Sequence, residues 1–196
     1  HYPLRRQRQM CIRDRACAIS PSTLPSLWML GSGGGSSTLA GQLGMGLALA
    51  KFIAPQTCSP AIFRQHEEAY RQSGMTTPPP RLVALAVICA ASDEEARFIA
   101  GTAVYRKMMA GSVPREPLLA PGEVQQRYQR MSKQERLEFD STLGDMVVGS
   151  PETCRTRIPQ IAEAFGCEEI GVVTVTHGFD DRLRSYELLA QAFDSQ

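Results

Sequence analysis

The chain has little with which to hold a metal. Its six cysteines, at positions 11, 17, 58, 89, 154 and 167, show no CxxC spacing, and its histidines are His1, His66 and His177 alone. No zinc ligand pattern forms, and the thiols read as free and buried. Long apolar runs are missing too: none approaches the roughly 20 residues that a membrane helix needs, and the first residues contain no apolar stretch of the secretory kind. The expectation is a cytoplasmic protein with no membrane partner. Known nucleotide motifs also fail. No Lys-Ser or Lys-Thr pair follows the glycines at 31–35 as a P-loop requires, and Ser36 stands where a GxGxxG beginning at Gly31 needs its last glycine. What remains is a chain of 196 residues, 43% hydrophobic and 21% charged with a formal charge of +1, the composition of an ordinary globular domain.

The most informative stretch is LWMLGSGGGSSTLAGQLG, from Leu27 to Gly44. A short apolar run ends in a glycine and serine loop that leads straight into a helix. The first N–H groups of a helix lack internal partners and its dipole favours negative charge, so such a junction is a ready anion site. Gly31, Gly33, Gly34 and Gly35 let the backbone wrap an anion closely, and Ser32, Ser36, Ser37 and Thr38 add hydroxyl donors. The alternative is a plain turn. If the guest is a phosphate, a flavin, a sugar or another phosphate ester stays open.

The first twenty residues stand apart. Arg5, Arg6, Arg8, Arg13 and Arg15 against Asp14 alone give this segment +4 and leave about −3 for the rest. It has no amphipathic period and no interleaved aromatic face, so nucleic acid is not expected as a partner. RQRQMCIRDR, from Arg6 to Arg15, resembles translated adapter sequence found at the ends of assembled reads. Residues 1–24 are therefore set aside as a non-native or disordered basic segment, and 25–196 are read as the domain.

From Pro25 strand and helix signals alternate, and the strands are apolar runs without strict alternation, as in parallel strands covered on both faces. Strands are expected at Leu27 to Leu30, Leu47 to Ile53, Leu82 to Cys89 and Ile170 to Val175, with a short ordered stretch at Met146 to Val148. The first helix runs from about Ser36 to Leu43, and the second opens with Ser59 and Pro60, stops at Gly74 and carries His66 at its surface or boundary. The third opens with a capping box, Ser92 and Glu95. Another runs from Ser150 and Pro151 to Phe165 and should kink or restart at Pro159. Asp180 or Asp181 caps the last, whose apolar stripe is Leu183, Tyr186, Leu189, Ala190 and Phe193. Gly111 to Gly144 reads as a polar insertion with a short helix near Lys133 to Phe139, either functional or mobile. Arg182 stands near a helix start, where the dipole disfavours a cation, so it answers a carboxylate or a phosphate. Four βα units form either a small open sheet or part of something larger.

Three blocks of sequence bear on that choice. WMLGSGGGSSTLAGQLGMGLALAKFIAP, LVALAVICAASDEEAR and the closing VVGSPETCRTRI with RLRSYELLAQAF resemble, in order and spacing, the C-terminal half of the luciferase-like flavin-dependent monooxygenases. The resemblance implies an α/β fold, strands five to eight of a (β/α)8 TIM barrel, with FMN, or coenzyme F420 in one branch, bound at the C-terminal strand ends. It places the phosphate clamp on Ser32, Gly33 and Ser36, with Gly33 where many relatives have serine and Lys51 where many have histidine. Arg182 becomes a closure element that can touch the flavin, and His177 a candidate acid/base or pocket residue. The implied reaction uses reduced FMN from a separate flavin reductase, with O2 and a small organic substrate. A non-catalytic flavin-binding relative, or a truncated piece without activity of its own, is the alternative. Two open sheet edges would favour a homodimer or aggregation, and the insertion could serve as a lid.

Overall fold

A computed structural model describes residues 25–111 and 116–194, and the basic segment lies outside the described residues. In chain order the elements are β1 (Trp28–Gly31), α1 (Gly34–Gln42), β2 (Gly46–Ala50), α2 (Pro60–Gln72), β3 (Arg81–Cys89), α3 (Asp93–Met108), α4 (Pro121–Arg130), α5 (Lys133–Gly144), β4 (Val147–Gly149), α6 (Pro151–Phe165), β5 (Glu169–Val173) and α7 (Phe179–Asp194). All pairings are parallel. β1 lies on β2, β2 on the first half of β3, and β5 along Leu82–Ala86 of β3, while β4 meets only its end, Val87–Cys89.

Backbone groups of alternate residues in a strand point to opposite edges, which resolves where β4 sits. Phe52 N–H donates to Ala84 O on the β2 edge, and Ala90 N–H donates to Gly149 O of β4 on that same edge. The opposite edge meets the β5 side: Thr174 donates to Val87 O and Cys89 N–H donates to Ser185 Oγ. The path from β3 to β4 thus steps back toward β2, against the direction of every other connection. Right-handed crossovers then require its helices to lie on the other face of the sheet. They do. Met29, Leu47, Leu49, Val83, Leu85, Val87, Ile170 and Val172 pack with α1, α2, α6 and α7, whereas Ile88, Ala90 and Val148 pack with α3, α4 and α5.

Several sequence expectations change. The strands are covered on both faces at the end of β3 and in β4. The second face elsewhere carries Trp28, Leu30, Ala48, Leu82, Ala84, Ala86 and Gly171, and of these Trp28 and Leu30 are 37% and 56% exposed. There are five described strands, and β2 stops at Ala50 because the Lys51 N–H turns back to Leu49 O. The insertion is two helices packed on α3, with Thr102 donating to Leu119 O at 2.8 Å and Arg127 bonded to Tyr105, Glu116 and Glu123. α6 runs as one helix through Pro159, since burial of Cys154, Ile158 and Phe165 outweighs one lost hydrogen bond. α7 starts at Phe179, so Asp180 and Asp181 lie within its first turn, and its buried face is Ser185, Leu188, Leu189 and Ala192, leaving Leu183 49% exposed.

His66 is not at the surface: it is wholly buried between α2 and the α1–β2 turn. Its Nε2 lies 2.8 Å from Met45 O, which makes it the N–H donor, and Nδ1 has no partner among the described residues. Burial pushes the imidazole pKa below the ordinary 6.5, against a smaller pull from the Met45 carbonyl. The folded state therefore binds this proton less readily than the unfolded chain. Stability should be full above about pH 7 and fall as pH drops below 6.5, by at most about 1.4 kcal/mol per pH unit. Urea midpoints at pH 7.5 and 5.5 check this, and His66→Gln should flatten the difference.

Candidate functional site

Because all strands are parallel, their C-terminal ends form one rim. At β1 the chain leaves the strand at Gly31, passes Ser32 and enters α1 through Gly33, an extended N-cap residue (φ −151°, ψ 172°) with no side-chain cap bond. The N–H groups of Gly34, Gly35 and Ser36 find no acceptor among the described residues, and the first turn holds no acid. Positive partial charge collects there. A Cβ on Gly33 or Gly35 would meet nothing within 4 Å, so the approach is open, while one on Gly31 would fall 2.3 Å from Ser36 Cβ. Strand end and Ser36 are pressed together in a way that glycine alone permits.

Ser32, Gly33, Gly34 and Ser36 thus share one loop. Ser37 stands behind it: fully buried, it donates to Gly34 O at 2.7 Å, so its hydroxyl serves the helix. Two neighbours escaped sequence reasoning. Cys58 Sγ lies 3.6 Å from Ser32 O and ties the β2–α2 loop to the β1–α1 loop. Gln65 reaches across α1, its Oε1 being 2.7 Å from where a Gly34 Cβ would stand. Burial pushes the Cys58 thiol up, and the Lys51 ammonium pulls the other way. Nothing in the local sequence of α2 marks these contacts; the α1–α2 crossing creates them. The β2–α2 loop is also held from the second face, by Lys107 Nζ on Phe52 O at 3.3 Å and Gln56 on Asp145 at 2.8 Å.

His177 and Arg182 stand at the same rim but at the far edge, after β5. Two strands intervene, which is about 14 Å along the sheet. Both side chains are exposed. The Arg182 guanidinium lies 5.9 Å from the Tyr186 ring. Burial raises the Tyr186 pKa, but hydrogen bonding to Thr174 and Arg182 outweighs it and the phenol sits below its ordinary value. The described residues contain no group of three or more histidine, cysteine or acidic side chains able to hold a metal. No helix among them is long and apolar enough to cross a membrane.

The chain folds as an α/β protein with a parallel sheet and a glycine and serine loop at its strand ends. The chain belongs to the luciferase-like monooxygenase family, whose model matches residues 5–168. It is 34% identical over 174 residues to YwcH of Bacillus subtilis (strain 168), covering 88% of this chain and 51% of that protein. The crystal structure of apo-MsnO8 superposes with a TM-score of 0.72 at 30% identity, covering 97% of this chain and 60% of that one. The structure of the riboflavin lyase RcaE, at 17% identity and a TM-score of 0.52, shares the fold over 87% of this chain and 43% of its own. The chain spans about half the length of the curated relatives it matches.

Proposed function

We propose that the chain is the C-terminal half of a (β/α)8 barrel, with β1, β2, β3 and β5 as strands five to eight, in a flavin-dependent monooxygenase whose FMN phosphate rests on the β1–α1 loop. The observation that carries the phosphate reading is the loop itself: three N–H groups without acceptors, beside a strand end pressed against Ser36, under an open approach. The barrel reading draws on the two sheet edges. Leu27, Leu30, Leu39 and Leu43 are exposed at the β1 edge, and Val175, Phe179 and Leu183 beyond β5. These are the surfaces that further βα units would cover, and relatives of twice the length have chain enough to supply them.

In this reading Ser32 and Ser36 donate hydroxyls to the phosphate, Gly34, Gly35 and Ser36 donate N–H groups, and Lys51 balances charge. Bound FMN, reduced by a partner flavin reductase, supplies the chemistry with O2 on a small organic substrate. The protein's part is to orient the cofactor and exclude water. His177 and Arg182 face the substrate side of the rim, and the α3–α5 layer roofs it. Loss of flavin fluorescence on titration tests the phosphate contact. FMN should bind at least a hundredfold more tightly than riboflavin, and Ser36→Ala should reduce that ratio by about tenfold or more, since one hydrogen bond to a charged group is worth about 1.5–3 kcal/mol. Equal affinity for FMN and riboflavin would overturn the assignment, and preference for a deazaflavin phosphate over FMN would move the protein to the F420 branch.

A further inference from the structure

Two thiols meet where β3, β4 and α6 converge. Cys89 ends β3 directly opposite Gly149 in the parallel register, and Ala90 N–H donates to the Gly149 carbonyl at 3.2 Å. Cys154, in the first turn of α6, places its Sγ 3.7 Å from that same carbonyl. The two side chains share one core cluster, at 1% and 0% exposure, both beside Gly149, and each shifts the other's ionisation. Their interaction favours ionisation of Cys89 against the burial that opposes it, while interaction and burial both oppose ionisation of Cys154. Cys89 is the sulfur more ready to attack once solvent reaches the pair.

A turn between β4 and α6 guards the pair. Asp93 Oδ1, from the start of α3, accepts from Ser150 N–H at 2.6 Å and from Thr153 Oγ1 at 2.8 Å. The packing there is close enough that a Cβ on Gly149 would fall 2.5 Å from Thr153 Cγ2 and 2.7 Å from Asp93 Oδ1. The residues flanking Cys154 in α6, Glu152 and Arg155, are exposed, so local opening of this one turn is the short route from solvent to the thiols.

The geometry points to Cys89 and Cys154 as a peroxide-responsive dithiol that closes to an intramolecular disulfide when the Asp93 latch opens. The Cys89 thiolate attacks the O–O bond of a hydroperoxide, forming an S–O bond and releasing the alcohol, or water from hydrogen peroxide, after proton uptake. The Cys154 sulfur then displaces hydroxide from the sulfenic acid, its own proton leaving with that hydroxide as water. Two thiols lose two electrons and two protons, and the peroxide takes both. The bond made would join the end of β3 to the first turn of α6.

Hydrogen peroxide added to the native chain, followed by alkylation and a non-reducing peptide map, decides the matter. The expected product is a peptide pair linked through Cys89 and Cys154, reversed by dithiothreitol, with Cys58 and Cys167 still alkylated. Cys154→Ser should stop at a Cys89 sulfenic acid that dimedone traps. Asp93→Ala should speed closure about tenfold, because it removes two hydrogen bonds to a carboxylate from the guarding turn. Cys89 and Cys154 both remaining thiols in oxidant-treated folded chain, or linkages scattered among all the cysteines, would overturn the proposal. Should Cys154→Ser not fold, the native chain and Asp93→Ala still give the answer: no Cys89–Cys154 linkage in either sinks the pair, and equal rates of closure sink the latch.

Discussion

Gly41→Ala is expected to lower the melting temperature by about 4–8 °C. Gly41 lies where α1 crosses α2, and a Cβ there would stand 2.6 Å from His66 O, 2.7 Å from Ala69 Cβ and 2.8 Å from Tyr70 N. Two of those three atoms are backbone, so no rotamer change can relieve the contact. Overpacking of this kind costs about 3 kcal/mol, and alanine's better helix propensity returns only about 1 kcal/mol of a penalty that backbone contacts push to the upper end. For a chain of this size each kcal/mol moves the midpoint by about 2–4 °C. The displaced groups include the peptide of His66, whose ring holds Met45 O, so the α1–β2 turn loosens as well. Gly35→Ala is the control within the same helix, because its Cβ would meet nothing within 4 Å. Thermal denaturation followed by circular dichroism measures both, and equal midpoints for the two variants would contradict the close crossing.

Gly31→Val should abolish the preference for FMN over riboflavin, a loss on the order of a hundredfold in FMN affinity. The new side chain would begin 2.3 Å from Ser36 Cβ and 2.8 Å from Ser36 Oγ. Ser36 must move, and its N–H and hydroxyl go with it. Two hydrogen bonds to a charged oxygen are worth about 1.5–3 kcal/mol each. Riboflavin affinity and the far-ultraviolet spectrum should hold, which separates a lost phosphate contact from lost folding. Unchanged FMN binding in this variant would place the phosphate somewhere other than the β1–α1 loop.

Much of the fold was legible because it rests on local chemistry. Three prolines before β3 and branched residues within it specify an extended strand, and Ser92 caps α3 by accepting Glu95 N–H at 3.1 Å. Even there a detail differs: the Glu95 carboxylate closes on Ala91 N–H at 3.0 Å, one residue earlier than a capping box requires. The insertion misled because its helices are polar. Val124 and Phe139 are the buried residues of α4 and α5, too few to show a period until α3 supplies the opposing face. His66 misled for the converse reason, since a polar side chain on an amphipathic helix looks like a boundary residue until Met45 O is seen to accept its N–H. At the candidate site the glycine and serine loop was visible as a motif, yet Ser37 could not be told from Ser36 by sequence, as one turns to the helix interior and the other to the strand end.

The amino-acid sequence by itself determined the family, the parallel βα order and the loop that offers an anion its N–H groups, because each depends on neighbours within a few residues or on blocks of fixed spacing. Tertiary structure alone decided which serines face outward, that Cys58 and Gln65 adjoin the loop, that β4 doubles back to the β2 edge of β3, and that Cys89 and Cys154 both lie beside Gly149. Those are contacts between residues far apart in the chain. They depend on which edge and which face of the sheet each element takes, and the right-handed crossover settles that only once all five strands are in place.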